Sequence, residues 1–122
     1  MTAADHWRAT LRTALLAARK DRDTARVSVL RSALSAIDNA ETPDRPATVA
    51  QPSATIAGAV SGFGTAEMNR RELTDQQIRA LLAEEIAERR SAADLLRARG
   101  HPDRAAALDA EAVMLADLLR DV

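Results

Sequence analysis

Apolar residues recur at intervals of three and four along this chain, and that spacing limits the possible folds more than any other feature of the sequence. The first block places them at Trp7, Leu11, Ala14, Leu15 and Ala18. Because an α-helix has 3.6 residues per turn, side chains at these positions lie on one face of it. The chain is therefore predicted to form amphipathic helices that pack their apolar faces together.

The apolar residues are of types that favour helices over strands. Hydrophobic residues make up 47% of the 122 residues, but aromatic residues make up only 2%. The apolar fraction is therefore mostly aliphatic, and alanine and leucine have high helix propensities. A chain this poor in aromatic residues is a poor sheet former, and its length fits one domain. We expect a single all-α domain over residues 1–122.

The first half of the chain predicts a helical hairpin. The first helix is expected to begin near Thr2, with Asp5 as a first-turn acid. Residues 20–23 are all charged and predict a tight turn, after which Asp21 or Asp23 caps the second helix. The apolar positions of the second helix are spaced by three, four and three residues: Val27, Leu30, Leu34 and Ile37. A short turn between two amphipathic helices predicts that they are antiparallel.

The second half predicts another pair of helices. Thr74 and Gln77 fit the capping-box pattern S/T-x-x-E/Q before an apolar run. Gly100 is expected to end the third helix, and Pro102 to begin the fourth. The apolar stripes are Ile78, Leu81, Leu82 and Ile86 in the third helix and Leu108, Ala112, Leu115 and Leu119 in the fourth. The sequence thus predicts a small bundle of four main helices.

Residues 42–72 lack this periodicity. Three prolines interrupt any helix there, and three glycines follow them. A stretch of this length predicts a flexible insertion between the second and third helices. Within it, three apolar residues recur at helical spacing: Ile56, Val60 and Phe63. Two interpretations stay open, a loop with scattered apolar residues or a short docking segment that folds onto the bundle or a partner.

Basic side chains are the best candidates for a partner surface. They form two groups, Arg19, Lys20, Arg22, Arg26 and Arg31 in the first half and Arg89, Arg90, Arg97 and Arg99 in the second. If the groups converge, they are suited to hold phosphates through bidentate guanidinium contacts. The alternative is that they are solubilising charges paired with Asp21, Asp23, Glu85 and Asp94. No aromatic platform for stacking bases is apparent, which argues against sequence-specific recognition of single strands.

No catalytic, cofactor-binding or metal-binding constellation is predicted. The chain has no cysteine, which excludes disulfides and thiolate chemistry. Glu84 and Glu88 share a helix face but lack the histidine partner of di-iron bundles, and His6 and His101 have no nucleophile in a recognisable arrangement. We interpret them as a solvated acidic face and surface histidines. No apolar run spans a membrane and no signal-peptide pattern appears at the N-terminus, so we expect a cytoplasmic protein.

Three blocks of the chain, taken in order, resemble the YqeY-like family. Residues 18–41 read ARKDRDTARVSVLRSALSAIDNAE, residues 73–93 read LTDQQIRALLAEEIAERRSAA, and residues 97–115 read RARGHPDRAAALDAEAVML. The resemblance covers the N-terminal helical half of that family and nearly all of this chain outside the insertion. The C-terminal subdomain of the family is therefore expected to be absent.

This resemblance implies a function in binding. The family is related to the tail domain of GatB, a subunit of the tRNA-dependent amidotransferase, where the tail helps to hold tRNA and the chemistry takes place in other domains. We therefore expect a non-catalytic accessory module with tRNA or an amidotransferase-like protein as its partner.

Two other functions are weighed against this one. A protein-interaction module, a homodimer included, would use apolar residues that the missing subdomain leaves bare: Ala112, Leu115, Leu118 and Leu119. An enzyme that acts on carbon–nitrogen bonds, with glutamine as the nitrogen donor, is implied by the resemblance alone, because nothing in the sequence supplies a nucleophile or a source of ammonia.

Overall fold

The computed structural model describes residues 1–42 and 71–122, which form four α-helices: α1 (Ala3–Lys20), α2 (Thr24–Glu41), α3 (Asp75–Ala98) and α4 (Pro102–Asp121). Within these residues no strand is present, which confirms the predicted all-α bundle. None of these four helices is long and apolar enough to cross a membrane. The predicted insertion at 42–72 falls almost entirely outside the described residues, and so do Ile56, Val60 and Phe63.

Side-chain caps explain where α1 and α3 begin. The Thr2 hydroxyl accepts a hydrogen bond from the Asp5 backbone N–H, and the Asp5 carboxylate accepts one from the Thr2 backbone N–H, both at 3.1 Å. Thr74 and Gln77 make the same reciprocal pair at the start of α3, at 3.1 and 2.9 Å. A capping side chain contributes about 1 kcal/mol to stability. Both predicted helix starts are confirmed.

Short turns join α1 to α2 and α3 to α4. Asp23 rather than Asp21 caps α2, because its carboxylate accepts a hydrogen bond from the Arg26 backbone N–H at 3.1 Å. Gly100 follows the end of α3, and Pro102 is the first residue of α4, both as predicted. Each pair of helices is therefore an antiparallel hairpin.

The two hairpins pack against each other through one apolar core. Its largest fully buried side chains come from all four helices: Trp7, Leu11, Val29, Leu30, Ile37, Ile78, Leu82 and Leu115. Burying a leucine or isoleucine side chain contributes about 1.5–3 kcal/mol relative to leaving it exposed. The core thus provides the main stabilisation of the bundle, and aliphatic side chains make most of it.

The core-facing stripe of α2 differs from the predicted one. Leu30 and Ile37 are fully buried as expected, but Val27 and Leu34 are only partly buried. Val29 and Ala33 take the central positions instead. The reason is that α2 contacts α1, α3 and α4, so its buried stripe is wider than the seam of a simple helix pair.

The α3–α4 hairpin extends past the common core at its turn. α3 has 24 residues and α1 has 18, a difference of about 9 Å at a rise of about 1.5 Å per residue. Ala93 of α3 and Ala105 of α4 are buried, yet they lie outside the core cluster that joins the four helices. This part of the hairpin is therefore packed by α3 and α4 alone.

The end of α4 does not present the bare apolar surface that was expected. Ala112 and Leu115 are fully buried, and Leu118 and Leu119 are partly buried against the core. These four positions are occupied by contacts with the other helices, because the last turns of α4 close the bundle. Among the described residues the exposed large aliphatic side chains inside helices are elsewhere: Leu16, Leu95 and Val113.

A polar network around Trp7 ties the two hairpins together. The buried Trp7 Nε1 donates to Asp75 Oδ1 at 2.7 Å. Arg79 donates to Asp75 Oδ2 at 2.8 Å, and its guanidinium carbon lies 5.3 Å from the centroid of the Trp7 ring. Arg79 also donates to the carbonyl oxygens of Leu119 and Val122, at 3.0 and 2.7 Å. We call the end of the bundle that contains this network the Trp7 end. Both hairpin turns lie at the opposite end, which we call the turn end.

Arg8 links α1 to the last turn of α2, also at the Trp7 end. It donates to Asp38 Oδ1 from Nε at 3.0 Å and from Nη2 at 2.7 Å, and Nη2 also donates to the Glu41 carboxylate. The hydrogen bond to Glu41 is the main reason that the pKa of Arg8 is raised. The Glu41 carbonyl oxygen accepts a hydrogen bond from the Arg71 backbone N–H at 2.8 Å. The chain therefore leaves α2 and returns towards α3 at the same place.

Candidate functional site

An open pocket follows the exposed side of α2 and carries a line of small polar side chains. They recur at helical spacing from the start of the helix to its last turn: Thr24, Ser28, Ser32, Ser35 and Asn39. Four of the five are exposed, and Ser32 is partly exposed. Hydroxyl and amide groups both donate and accept hydrogen bonds. This side of α2 therefore offers hydrogen-bonding groups along a length of about 22 Å, at about 1.5 Å per residue.

Three arginines border the same pocket. Arg19 ends α1, Arg22 lies in the turn, and Arg31 lies on α2. All three are exposed, and none forms an ion pair within the described parts of the chain. We call these three arginines and the five polar residues the α2 surface. A surface with free guanidinium groups and hydroxyl donors is suited to bind phosphate oxygens.

The other basic residues of the first predicted group lie close to the α2 surface without lining its pocket. Arg26 forms an ion pair with Asp23 at 3.6 Å on the same turn. Lys20 is exposed at the end of α1. The structure thus divides this group into three arginines that line the pocket, one that is paired, and one lysine beside it.

Arg89, in the second predicted group, is held by carboxylates within the α3–α4 hairpin. It donates to Glu85 Oε1 at 2.9 Å and to Glu111 Oε1 at 3.1 Å. Burial of Arg89 opposes its charge, but the hydrogen bonds to Glu85 and Glu111 outweigh this effect and raise its pKa. Only 14% of its side chain is exposed. Arg89 is therefore a structural contact between α3 and α4 and is not available to a phosphate.

The remaining arginines of the second group lie towards the turn end. Arg97 is paired with Asp94 of its own helix and with Asp109 of α4. Arg90 and Arg99 are exposed and form no ion pair in the described ranges 1–42 and 71–122. The predicted pairing with Asp23, Glu85 and Asp94 is thus confirmed for Arg26, Arg89 and Arg97.

Only the first basic group contributes arginines to the α2 pocket. The α3 residue that lines the α2 pocket is Glu85, not an arginine. Its carboxylate is already bound by Arg89. α3 therefore contributes a neutralised ion pair to the border of the pocket, and the positive charge of the α2 surface comes from α1, the turn and α2.

The sequence analysis missed the hydroxyl and amide residues of this surface. Ser28, Ser32 and Ser35 carry no signal of catalysis, since no base accompanies them. Their helical spacing on the side of α2 opposite Leu30 and Ile37 is the signal that could have found them. A helix face with small polar residues and no acidic residue is a place where a negatively charged partner can approach closely.

The residues considered for catalysis and metal binding are dispersed. Glu84 and Glu88 are exposed on α3, His6 is exposed on α1, and His101 precedes α4. Across residues 1–42 and 71–122 no group of three or more histidine and acidic side chains is arranged to hold a metal ion. The chemistry that the α2 surface can do is hydrogen bonding and charge attraction.

Aromatic stacking does not contribute to the α2 surface as described. Trp7 is fully buried at the Trp7 end, and the only phenylalanine, Phe63, lies outside the described residues. Stacking on aromatic rings is the usual way to hold unpaired bases. The described part of the α2 surface therefore offers no aromatic ring for stacking.

Comparison of the chain with family models, with curated proteins and with solved structures gives no match. The resemblance to the YqeY-like family therefore stays a prediction that rests on the order and spacing of the three sequence blocks.

Proposed function

We propose that this protein is a non-catalytic helical binding module of the YqeY-like type that holds the phosphate backbone of structured RNA, such as tRNA, on the α2 surface. The observation that carries the proposal is the presence of Arg19, Arg22 and Arg31 beside one pocket, each exposed and without an ion pair in the described residues. The hydroxyl groups between them add donors for phosphate and acceptors for the 2′-hydroxyl groups of RNA.

The charge balance of the whole chain favours a local contact over general attraction. The formal net charge is −1, so the protein as a whole does not attract a polyanion. Three phosphate contacts release counterions, and the logarithm of the binding constant should fall against the logarithm of salt concentration with a slope of about −2 to −3. The affinity is therefore expected to be modest and sensitive to salt.

The proposal is tested by fluorescence anisotropy of labelled tRNA at two salt concentrations. The triple variant Arg19→Ala, Arg22→Ala, Arg31→Ala should lower the affinity at low salt by at least about tenfold, because each charged hydrogen bond is worth about 1.5–3 kcal/mol. The matched control changes three exposed arginines of the α3–α4 hairpin: Arg90→Ala, Arg99→Ala and Arg104→Ala. Both variants alter the net charge by the same amount, so equal losses would indicate general electrostatics. No binding by the unaltered protein at low salt would overturn the proposal.

A second candidate function is protein–protein interaction, as a homodimer or on an amidotransferase-like partner. The observation in its favour is the part of the α3–α4 hairpin that extends past the core, together with Leu95, whose side chain is 56% exposed. Light scattering over a range of protein concentrations tests the homodimer. A rise in mass that Leu95→Ser removes would support it, and a constant monomer mass would exclude it.

A further inference from the structure

The two hairpin turns of this bundle have the same backbone geometry. In the α1–α2 turn the Asp23 N–H donates to the Ala18 carbonyl oxygen at 3.0 Å, and in the α3–α4 turn the His101 N–H donates to the Leu96 carbonyl oxygen at 2.8 Å. In each turn the preceding residue makes a second, shorter-range hydrogen bond. The Arg22 N–H donates to the Arg19 carbonyl oxygen at 3.1 Å, and the Gly100 N–H donates to the Arg97 carbonyl oxygen at 3.2 Å. This pair of bonds is the Schellman arrangement that ends many helices.

The two turns differ in the residue at the position with positive φ. Gly100 has a φ of +84° in one turn, and Arg22 has a φ of +57° in the other. Glycine adopts this left-handed conformation without penalty, whereas a residue with a Cβ atom is strained in it. Arginine is not among the residues that tolerate the conformation through a short polar side chain. The α1–α2 turn is therefore less stable with Arg22 than it would be with glycine.

Within the described residues the Arg22 side chain makes no hydrogen bond or ion pair that offsets this strain. Arg22 is exposed and forms no ion pair there, and of its two acidic neighbours Asp23 is bound by Arg26. The Arg22 side chain lines the pocket of the α2 surface, between Arg19 and Arg31 in sequence. The arginine therefore reduces the stability of the turn and adds a free positive charge to the pocket.

We propose that Arg22 is a phosphate-binding residue, held in a strained turn because its guanidinium group completes the α2 surface. The choice of phosphate as ligand rests on the proposed function above. Because the two backbone hydrogen bonds of the turn fix the direction of the Arg22 Cα–Cβ bond, the side chain leaves the backbone in a defined direction beside the pocket that Arg22 lines. A glycine at this position would stabilise the fold and remove the contact.

Two substitutions separate the strain from the charge. Arg22→Gly removes both, so the Tm should rise by about 3–6 °C for a domain of this size, while the affinity for tRNA falls about tenfold. Arg22→Ala removes the guanidinium group but keeps the strained Cβ, so the affinity should fall equally without that rise in Tm. An unchanged Tm for Arg22→Gly would overturn the claim of strain, and unchanged binding by Arg22→Ala would overturn the claim of contact.

The equivalent turn supplies the control. A Cβ atom added at Gly100 has no heavy atom within 4 Å, so Gly100→Ala adds the backbone strain alone. It should lower the Tm by a similar amount and leave the affinity for tRNA unchanged. A loss of affinity in Gly100→Ala would show that turn stability, not the Arg22 side chain, controls binding, and it would overturn the inference.

A phosphate probe distinguishes failure of this inference from failure of the proposed function. If the unaltered protein does not bind tRNA, NMR amide shifts are measured with inorganic tripolyphosphate. Shifts around Arg22, Thr24 and Arg31 that disappear in Arg22→Ala would retain the inference and overturn the RNA function. The absence of shifts in the unaltered protein would overturn both.

Discussion

At the scale of single residues, Trp7 has two roles in this bundle. Its ring is fully buried in the core, and its N–H donates to Asp75 across the contact between the hairpins. Arg79 then binds the same carboxylate and the last carbonyl groups of α4. One aromatic side chain and its hydrogen-bonding partners thus link α1, α3 and α4, so a chain with so few aromatic residues still forms a defined core.

Replacing Trp7 with phenylalanine should destabilise the fold. The change leaves most of the apolar contact but removes the hydrogen bond to Asp75, and the smaller ring leaves a cavity. We expect a loss of about 2–3 kcal/mol from the two effects together. Urea denaturation followed by circular dichroism measures it, with Leu16→Ala as the control for loss of an exposed apolar side chain on the same helix. A loss below that of the control would contradict the role given to Trp7.

Asp75 should make the stability of the protein sensitive to acid. Hydrogen bonds from Arg79 and then from Trp7 lower the pKa of Asp75 below its ordinary value. A carboxylate with a lowered pKa contributes stability above its unfolded pKa, about 3.9, and this contribution is lost as the pH falls through the lower folded pKa. Asp75→Asn should therefore reduce the dependence of the unfolding midpoint on pH as the pH falls below about 4. Equal dependence in both proteins would contradict this account.

At the scale of elements, the starts of α1, α3 and α4 could be predicted from the sequence because each depends on a local rule. The capping boxes at Thr2 and Thr74, Gly100 after α3 and Pro102 at the start of α4 depend on residues only a few positions apart. The buried stripe of α2 depends on how many helices surround it, and that is a tertiary property. The predicted seam through Val27 and Leu34 was therefore only half correct.

The candidate site, like the buried stripe of α2, was predicted only in part. Arg19, Arg22 and Arg31 were identified as basic residues, but the sequence could not distinguish them from Arg89, because ion pairing with Glu111 joins two helices. The serines of α2 were missed although their helical spacing is visible in the sequence, because a hydroxyl group without a neighbouring base gives no sign of catalysis. The failure over Arg89 thus concerns a partner distant in sequence.

A substitution of Arg89 tests whether this arginine has a structural role. Arg89→Ala should destabilise the protein by about 1–2 kcal/mol, because it removes hydrogen bonds between partly buried charged groups on α3 and α4. The neighbouring exposed Arg90→Ala is the control and should alter stability by less than about 0.5 kcal/mol. Thermal unfolding measures the stability of both variants, and equal stability of the two would contradict the structural role of Arg89.

At the scale of the whole molecule, the two ends of the bundle are held differently. The Trp7 end has the common core, the Trp7 network and the Arg8 contacts. At the turn end the α3–α4 hairpin extends alone, with alanines between its helices. The strained α1–α2 turn lies at this same end. The surface proposed to bind RNA therefore begins at the less tightly packed end of the protein.

Native-state hydrogen exchange should reveal this difference. Amides of α3 and α4 near Ala93 and Ala105 should exchange through openings of lower free energy than amides near Ile78, Leu82 and Leu115, because only two helices protect them. The measurement compares exchange rates along α3 and α4 within one sample, so the protein is its own control. Uniform protection along both helices would show that the hairpin is a single cooperative unit with the core.

The hydrogen bond between the Arg71 N–H and the Glu41 carbonyl oxygen has a consequence for how this chain can vary in length. It holds residues 41 and 71 side by side, so the chain leaves α2 and re-enters the bundle at neighbouring points. Lengthening a loop between fixed ends changes the entropy of closure slowly, by about 0.6 kcal/mol for each doubling. Residues inserted between these two neighbouring points should therefore change the entropy of closure only slightly.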